Sequence, residues 1–306
     1  MKYGIREICE VVLKAKANQK IGNKMFYKGE PVIYFDSLKT STMEGAATTV
    51  YAQGGRGNSR LIAWEGERTV TFTMEDALIS TTGLLILTGA GLIEPTSEKP
   101  IQVHVVETVA NDDITVSDDS VTIKVSKTIS SDKDATIYVM LKDGDKIVSE
   151  PYIGDFDESN GKSVVTIKAS TNYSPDLSKF QGEQKDVVVV DYYTDKTGGV
   201  QQIEITPDKF GGNFYLEAST LFRDTNGTDM PAEFIIPNCK VQSNFTFSMA
   251  SSGDPSTFTF TMDAFPDYTR FDPTKKVLSV IQVITEENED EADVRKATAA
   301  DFEGNA

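Results

Sequence analysis

The sequence predicts a mainly β protein: a β-barrel or sandwich with one flanking α-helix, interrupted by an inserted small β-sandwich domain. Three observations carry this. First, apolar and polar side chains alternate strictly in several stretches. Phe245, Phe247 and Met249 alternate with Asn244, Thr246 and Ser248; Phe258, Phe260 and Met262 alternate with Thr257, Thr259 and Thr261; Thr69 to Met74 repeats the weave. Period two is the mark of a strand with one buried and one polar face. Second, a single segment reads as helix. Third, residues 96–185 hold short strand-like runs spaced by polar turns, the pattern of a separate small sandwich.

Taken in order, residues 1–40 hold a short apolar run at 8–13, which serves as an edge strand or as an arm to a neighbouring subunit. A strand follows near Pro31 to Phe35. Residues 41–60 are rich in Gly, Ala, Ser and Thr and include Gly54, Gly55, Arg56 and Gly57. They read as a loop: either a flexible turn or an inter-subunit loop in which Arg56 and Arg60 meet an acidic neighbour. No Gly-Lys-Ser/Thr follows, so this is not a phosphate-binding P-loop. Nor does it have the strand and helix that frame a dinucleotide fingerprint.

Strand 68–74 runs into Asp76 to Ile79. Ser80 is suited to cap a helix over Thr81–Thr88, and Leu84, Leu85 and Leu87 make that helix apolar on most sides. Gly89 stops it. Within the insertion, strands are expected at 101–107, 121–125, 135–141 and 164–168. An apolar strand at 187–190 either closes the insertion or belongs to the core. Further on, Asn226-Gly227 marks a hairpin turn, since that pair favours left-handed backbone. Gly253, Asp254 and Pro255 break the two alternating runs, so 241–263 is expected to be a hairpin. Val277 to Ile284 supplies the last strand. These readings divide the chain into a core over 1–95 and 186–285, an insertion at 96–185, and a tail at 286–306. The tail carries eight acidic against two basic residues and lacks apolar periodicity. It reads as a solubilising tail, or as an arm adding negative charge to an assembly surface.

Composition restricts function. The formal net charge is −17, from 30 basic and 47 acidic residues. Binding to nucleic acid draws on clustered Lys and Arg that release counterions, and no such cluster occurs. A duplex would slide past such a surface without sticking. The two cysteines, Cys9 and Cys239, sit among apolar residues and read as buried small hydrophobes. That points to a reducing compartment. Residues 8–13 are too short and interrupted for a signal peptide, and no run reaches the length of a membrane anchor.

Catalytic chemistry is thin. His104 is the single histidine, in a strand pattern, so Ser-His-Asp and Cys-His catalysis and zinc sites are not expected. Residues 155–161 resemble half of a calcium-binding EF-hand loop. There, however, Gly falls at the seventh place and Thr166 stands where a bidentate Glu is needed, so the stretch reads as a turn. No cofactor, metal or catalytic residue is expected. One tryptophan, Trp64, is little for a sugar site. A lectin or carbohydrate-active enzyme built on the inserted sandwich is the least favoured alternative.

Two stretches carry a family likeness. Ile236-Pro237-Asn238, Lys240 to Asn244 and the Gly-Asp-Pro-Ser-Thr-Phe run at 253–258 resemble the closing part of bacteriophage tail tube proteins. Phe72 to Ser80, followed by the apolar helix, is similar to the same family. The resemblance covers roughly 1–95 and 186–285. It implies a β-barrel or sandwich with a flanking helix, in six-membered rings that stack into a tube carrying DNA toward the host. It further implies contacts with sheath, baseplate and tape-measure proteins, passing DNA without stable binding, assembly in the host bacterial cytoplasm, and a place in the virion tail. The expected assembly and structural residues are Gly54, Arg56, Arg60, Asn226 and Gly227 between rings, Ser80 as the helix cap, Leu84, Leu85 and Leu87 for packing, and Gly253, Asp254 and Pro255 for turn geometry. Another β-rich virion protein, such as a head-decoration or fibre-base component, is the main alternative.

Overall fold

The structure, a computed structural model, describes residues 2–5, 7–132, 136–156, 163–168, 174–180, 187–249, 251–252 and 256–284. The chain is mainly β, with one α-helix among the described residues. It divides into two compact units. One is Met1–Leu92 with Ile203–Ala306; the other is Ile93–Gln202.

The first unit is built on a nine-stranded antiparallel sheet. Its main order is Pro31–Phe35, Glu10–Ala15, Asn213–Asp224, Asp229–Val241, Phe258–Ala264, Ser59–Asp76, Leu38–Gly54. Tyr3–Ile5 adds to Asn213–Asp224, and Val280–Val283 adds to Asp229–Val241. The two outermost strands in that order are separated in sequence by only Asp36 and Ser37, so the sheet must roll round on itself. Phe35 accordingly packs edge-on against Phe260, with ring centroids 5.0 Å apart. The Cys9 amide donates to Ser41 Oγ at 3.1 Å across the same closure. The alternating residues meet inside. Val11, Leu13, Phe72, Met74, Phe214, Leu216, Ile236, Phe260 and Met262 form one buried core. Each such side chain contributes about 1.5–3 kcal/mol relative to exposure.

The helix Thr81–Thr88 starts and stops as its sequence dictates. Ser80 Oγ accepts from the Gly83 amide at 3.0 Å, satisfying one of the first-turn donors. Gly89 adopts the left-handed conformation (φ 65°), and its amide closes onto Leu85 O. Ile86 and Leu87 enter the core, Leu85 is buried, and Leu84 is half-buried.

The second unit is a β-sandwich. One sheet orders Ile114–Val116, Ser120–Lys124 and Val164–Lys168. The other orders Lys146–Ile147, Ile137–Asp143, Val187–Lys196 and Ile101–Val109, with Tyr152–Gly154 added to Ile137–Asp143. Inward residues of both sheets, among them Val121, Ile123, Val139, Leu141, Val165, Ile167, Val190 and Tyr192, fill a core of their own.

Three sequence expectations are corrected. Of the two places open to the 187–190 strand, the boundary at 186 gives it to the core; instead Val187–Lys196 is a central strand of the second unit, hydrogen-bonded to Ile137–Asp143 on one side and Ile101–Val109 on the other. Its alternation suits either core, and only pairing decides. The 41–60 segment is not a loop: strands run to Gly54 and resume at Ser59. Its small residues suggested a loop, but the Thr, Val and Tyr among them hold a ladder. The expected 241–263 hairpin forms only in part. Phe258–Ala264 is a strand, whereas Asp229–Val241 ends at Val241 and residues 242–249 lie outside any strand. Alternation shows that 242–249 suits a strand, but the ladder to Phe258–Ala264 ends at Gln242 and, among the described residues, no partner strand takes up the rest.

Candidate assembly surface

The longest hairpin, Leu38–Gly54 with Ser59–Asp76, does two jobs along its length. Near its base Phe72 and Met74 enter the core. Beyond Glu44 and Thr69 the two strands stay paired to the tip, but nearly all their side chains are exposed. The base is therefore a sheet component and the outer part is a free two-stranded ribbon. Its turn is Gly55-Arg56-Gly57-Asn58, with Gly55 at φ 79°, Gly57 at 91° and Asn58 at 49°. Glycine adopts positive φ freely and Asn tolerates it. The Asn58 amide closes the turn on Gly55 O at 3.2 Å.

One face of the ribbon carries paired apolar residues, and Leu61 exposes a further apolar side chain at the bulge beside it. Register sets Val50 opposite Trp64 and Ala52 opposite Ile62. Two-residue spacing puts both pairs on the same side. Val50 is 63% exposed, Ile62 54% and Trp64 53%. On the other face the Arg60 guanidinium lies over the Tyr51 ring, 4.1 Å from its centroid. An isolated two-stranded ribbon is marginal in water. A contiguous exposed apolar patch carrying Trp is the composition of a binding hot spot. This ribbon can bury its face only against another surface.

The expected site residues distribute as follows. Gly54 ends the outgoing strand, Arg56 sits exposed in the turn, and Arg60 begins the return, so all three gather at the ribbon tip. Ser80, Leu84 and Leu87 belong to the capped helix. Asn226 and Gly227 lie in the turn between Asn213–Asp224 and Asp229–Val241. There Asp224 Oδ1 accepts the amides of Asn226 (2.8 Å) and Thr228 (2.9 Å). Only Gly227 takes positive φ (87°), so this is a four-residue loop rather than the tight Asn-Gly turn. Arg223 and Asp229 clamp it with two bonds of 2.5 and 2.6 Å. Gly253, Asp254 and Pro255 lie outside the described residues, as does the 286–306 tail.

Sequence reading missed Val50, Ile62 and Trp64 as a surface. The available signal was the Gly55 to Asn58 turn between two runs of strand-forming residues.

Other chemistry is sparse. His104 Nε2 is 2.7 Å from Asp191 Oδ1, with Tyr193 beside it, and His104 is half exposed. Asp155 pairs with Thr166 through both backbone hydrogen bonds, 2.9 and 2.6 Å, so the half EF-hand segment begins as a strand bridge. Among the described residues no group of three His, Cys, Asp or Glu is placed to hold a metal. No helix among them is long and apolar enough to cross a membrane, which says nothing of strands.

A protein-family model described as the YomU/Tube protein family matches residues 5–276. No curated protein matches the chain.

Proposed function

The chain belongs to the YomU/Tube protein family, and from that membership we propose that it is the structural subunit of a bacteriophage tail tube. Copies form rings, expected to have six members, and the rings stack into a channel through which DNA passes to the host. The subunit then resides in the virion tail after assembly in the host cytoplasm. Sheath, baseplate and tape-measure proteins are its expected neighbours. Its work is mechanical, and no residue is assigned a catalytic role.

The observation that carries this reading is the ribbon. Its exposed Val50, Ile62 and Trp64 need a covering surface, and a subunit that repeats along a tube supplies one at every copy. Net charge fits as well: at −17, the surface repels phosphates and lets a duplex move.

Negative-stain electron microscopy of the purified chain across a range of concentrations tests it. Hollow rings or tubes are expected, and their symmetry can be counted directly. Particles that stay monomeric at every concentration would move the reading to a head-decoration or fibre-base component.

A further inference from the structure

Residues 242–249 have strand chemistry without a strand partner. Strands Asp229–Val241 and Phe258–Ala264 pair Cys239 with Ala264, Lys240 with Asp263 and Val241 with Met262. One further rung holds: the Gln242 amide donates to Thr261 O at 2.8 Å, and its side-chain amide reaches both Asp263 oxygens at 3.1 and 3.0 Å. The same register would next set Ser243 against Phe260, Asn244 against Thr259 and Phe245 against Phe258. Among the described residues these rungs do not form. A cleft of about 790 Å³, walled largely by hydroxyl and amide side chains, lies there instead. The far end is held by Ser256, whose hydroxyl donates to Ser248 O. The hairpin is thus fastened at both ends and open between them.

The open segment also exposes apolar surface. Phe245 is 37% exposed, Phe247 45% and Met249 90%. The rings form a short strip, Phe245 to Phe247 at 5.6 Å and Phe247 to Phe258 at 5.1 Å between centroids. Unpaired amides and carbonyls recruit a strand, and an exposed apolar strip recruits an apolar face.

We propose that the Gln242–Met249 segment is the receiving half of a head-to-tail contact, and that its occupant is the ribbon of a second copy of this chain. Charge selects that occupant. Copies of a −17 chain repel one another, and burying an unpaired charge is costly. Residues 241–249 contain no ionisable group, and neither do residues 45–50 and 52–55; Tyr51 between them is neutral at ordinary pH. The ribbon's edge strand therefore meets the segment without trapping a charge, and Arg60, Glu65, Glu67 and Arg68 sit on the return strand, away from that edge. Backbone supply matches as well. Leu38–Gly54 ends the sheet order and is paired on one side only, with Ser59–Asp76. Eight residues of segment span roughly 27 Å, and the ribbon edge from 45 to 54 is longer than that. The apolar faces correspond: Val50, Ile62 and Trp64 on the donor, Phe245, Phe247 and Met249 on the receiver. Because the two halves differ, the contact is heterologous and propagates into a ring or a filament. This rests on the tube reading and specifies which surfaces make its subunit contact.

Cysteine cross-linking tests it, since Cys9 and Cys239 are both buried. Asn244→Cys, Thr246→Cys and Ser248→Cys chains are each mixed with Ala46→Cys, Thr49→Cys or Ala52→Cys chains. The mixtures are assembled, mildly oxidised and separated into assembled and unassembled fractions. A disulfide joining a 244–248 peptide to a 46–52 peptide is expected in the assembled fraction and absent from the unassembled one. Met249→Asp, at a side chain 90% exposed, is expected to abolish assembly while leaving the unfolding midpoint of the monomer unchanged. Rings or tubes that form without any such cross-link, and that survive Met249→Asp, would overturn the proposed contact and leave the tube reading standing. A chain that never assembles would remove both.

Discussion

Val50 and Trp64 stand directly opposite each other across the ribbon, and more than half of each is open to solvent. A cross-strand pair contributes roughly 0.2–1 kcal/mol, a small return for so much exposed apolar surface. Covering it on assembly would recover about 25 cal/mol for each Å² removed from water. Trp64 is the only tryptophan, so it reports on that event by itself. Its emission should be that of a solvated indole in the unassembled chain and should shift to the blue as particles form. An unchanged spectrum in assembled particles would place the ribbon face outside the subunit contact.

The two units have separate cores, and a cavity in one should be felt there. Phe260 is nearly fully buried and meets the Phe35 ring. Phe260→Ala removes that contact and leaves a void, at a cost of about 3–5 kcal/mol. In the second unit Val190 is fully buried in its own cluster. Calorimetry should show Phe260→Ala lowering the transition of the first unit and Val190→Ala lowering that of the second. Equal shifts of a single transition by both variants would mean the units unfold as one.

Much of this architecture was legible because the local signals and the core agree. Phe258, Phe260 and Met262 alternate and do face inward; Ser80 and Gly89 bracket the helix as their chemistry requires. The failures have one physical origin. Alternation reports that a segment suits a strand, but it is silent on which partner is available. Val187–Lys196 and residues 242–249 carry equally clean patterns. The first found two partner strands in the second unit; the second found one rung and a cleft. The ribbon was hidden for the converse reason. Its Gly, Ala and Thr content looks like a loop, and the bulges near Ala47–Thr49 and Ala52–Gln53 blur its alternation.

The helix ends permit a graded test. Ser80→Ala removes the bond to the Gly83 amide and should cost about 1 kcal/mol. Gly89→Ala should cost more. It forces an L side chain into φ 65°, itself about 1–2 kcal/mol, and its Cβ would lie 2.3 Å from the Phe210 carbonyl carbon. Denaturant titration orders the two variants, and a Gly89→Ala protein as stable as the parent would contradict the described turn.

Acid should weaken the first unit through identified carboxylates. The hydrogen bonds from Arg223 hold Asp229 below the usual aspartate range, and the bond from Lys16, at 2.8 Å, does the same for Asp267. An unfolded aspartate titrates near about 3.9. Stability from these pairs is therefore present above about pH 4 and is lost as pH falls through the lower folded-state values. The Arg223–Asp229 pair is exposed and the Lys16–Asp267 pair half-buried, so the first contributes modestly and is screened by salt, and the second is screened less. Asp229→Asn should flatten the dependence of the thermal midpoint on pH below about 4, and an unaltered slope would show that the clamp adds nothing.

The buried cysteines should be chemically silent in the folded chain. Burial pushes the Cys239 thiol up to about 12, and Cys9 is also raised, chiefly by burial. Since the thiolate is the nucleophile, Cys239 stays almost wholly in its unreactive thiol form at about pH 8. Its Sγ lies 3.4 Å from Phe214 O, inside the core between two paired strands. Alkylation followed by mass spectrometry should find neither residue modified under native conditions and both modified in denaturant. Rapid native labelling of Cys239 would require the Asp229–Val241 strand to detach from Asn213–Asp224, which would contradict the core as described. Slow labelling that tracks denaturant concentration would measure the opening of that core.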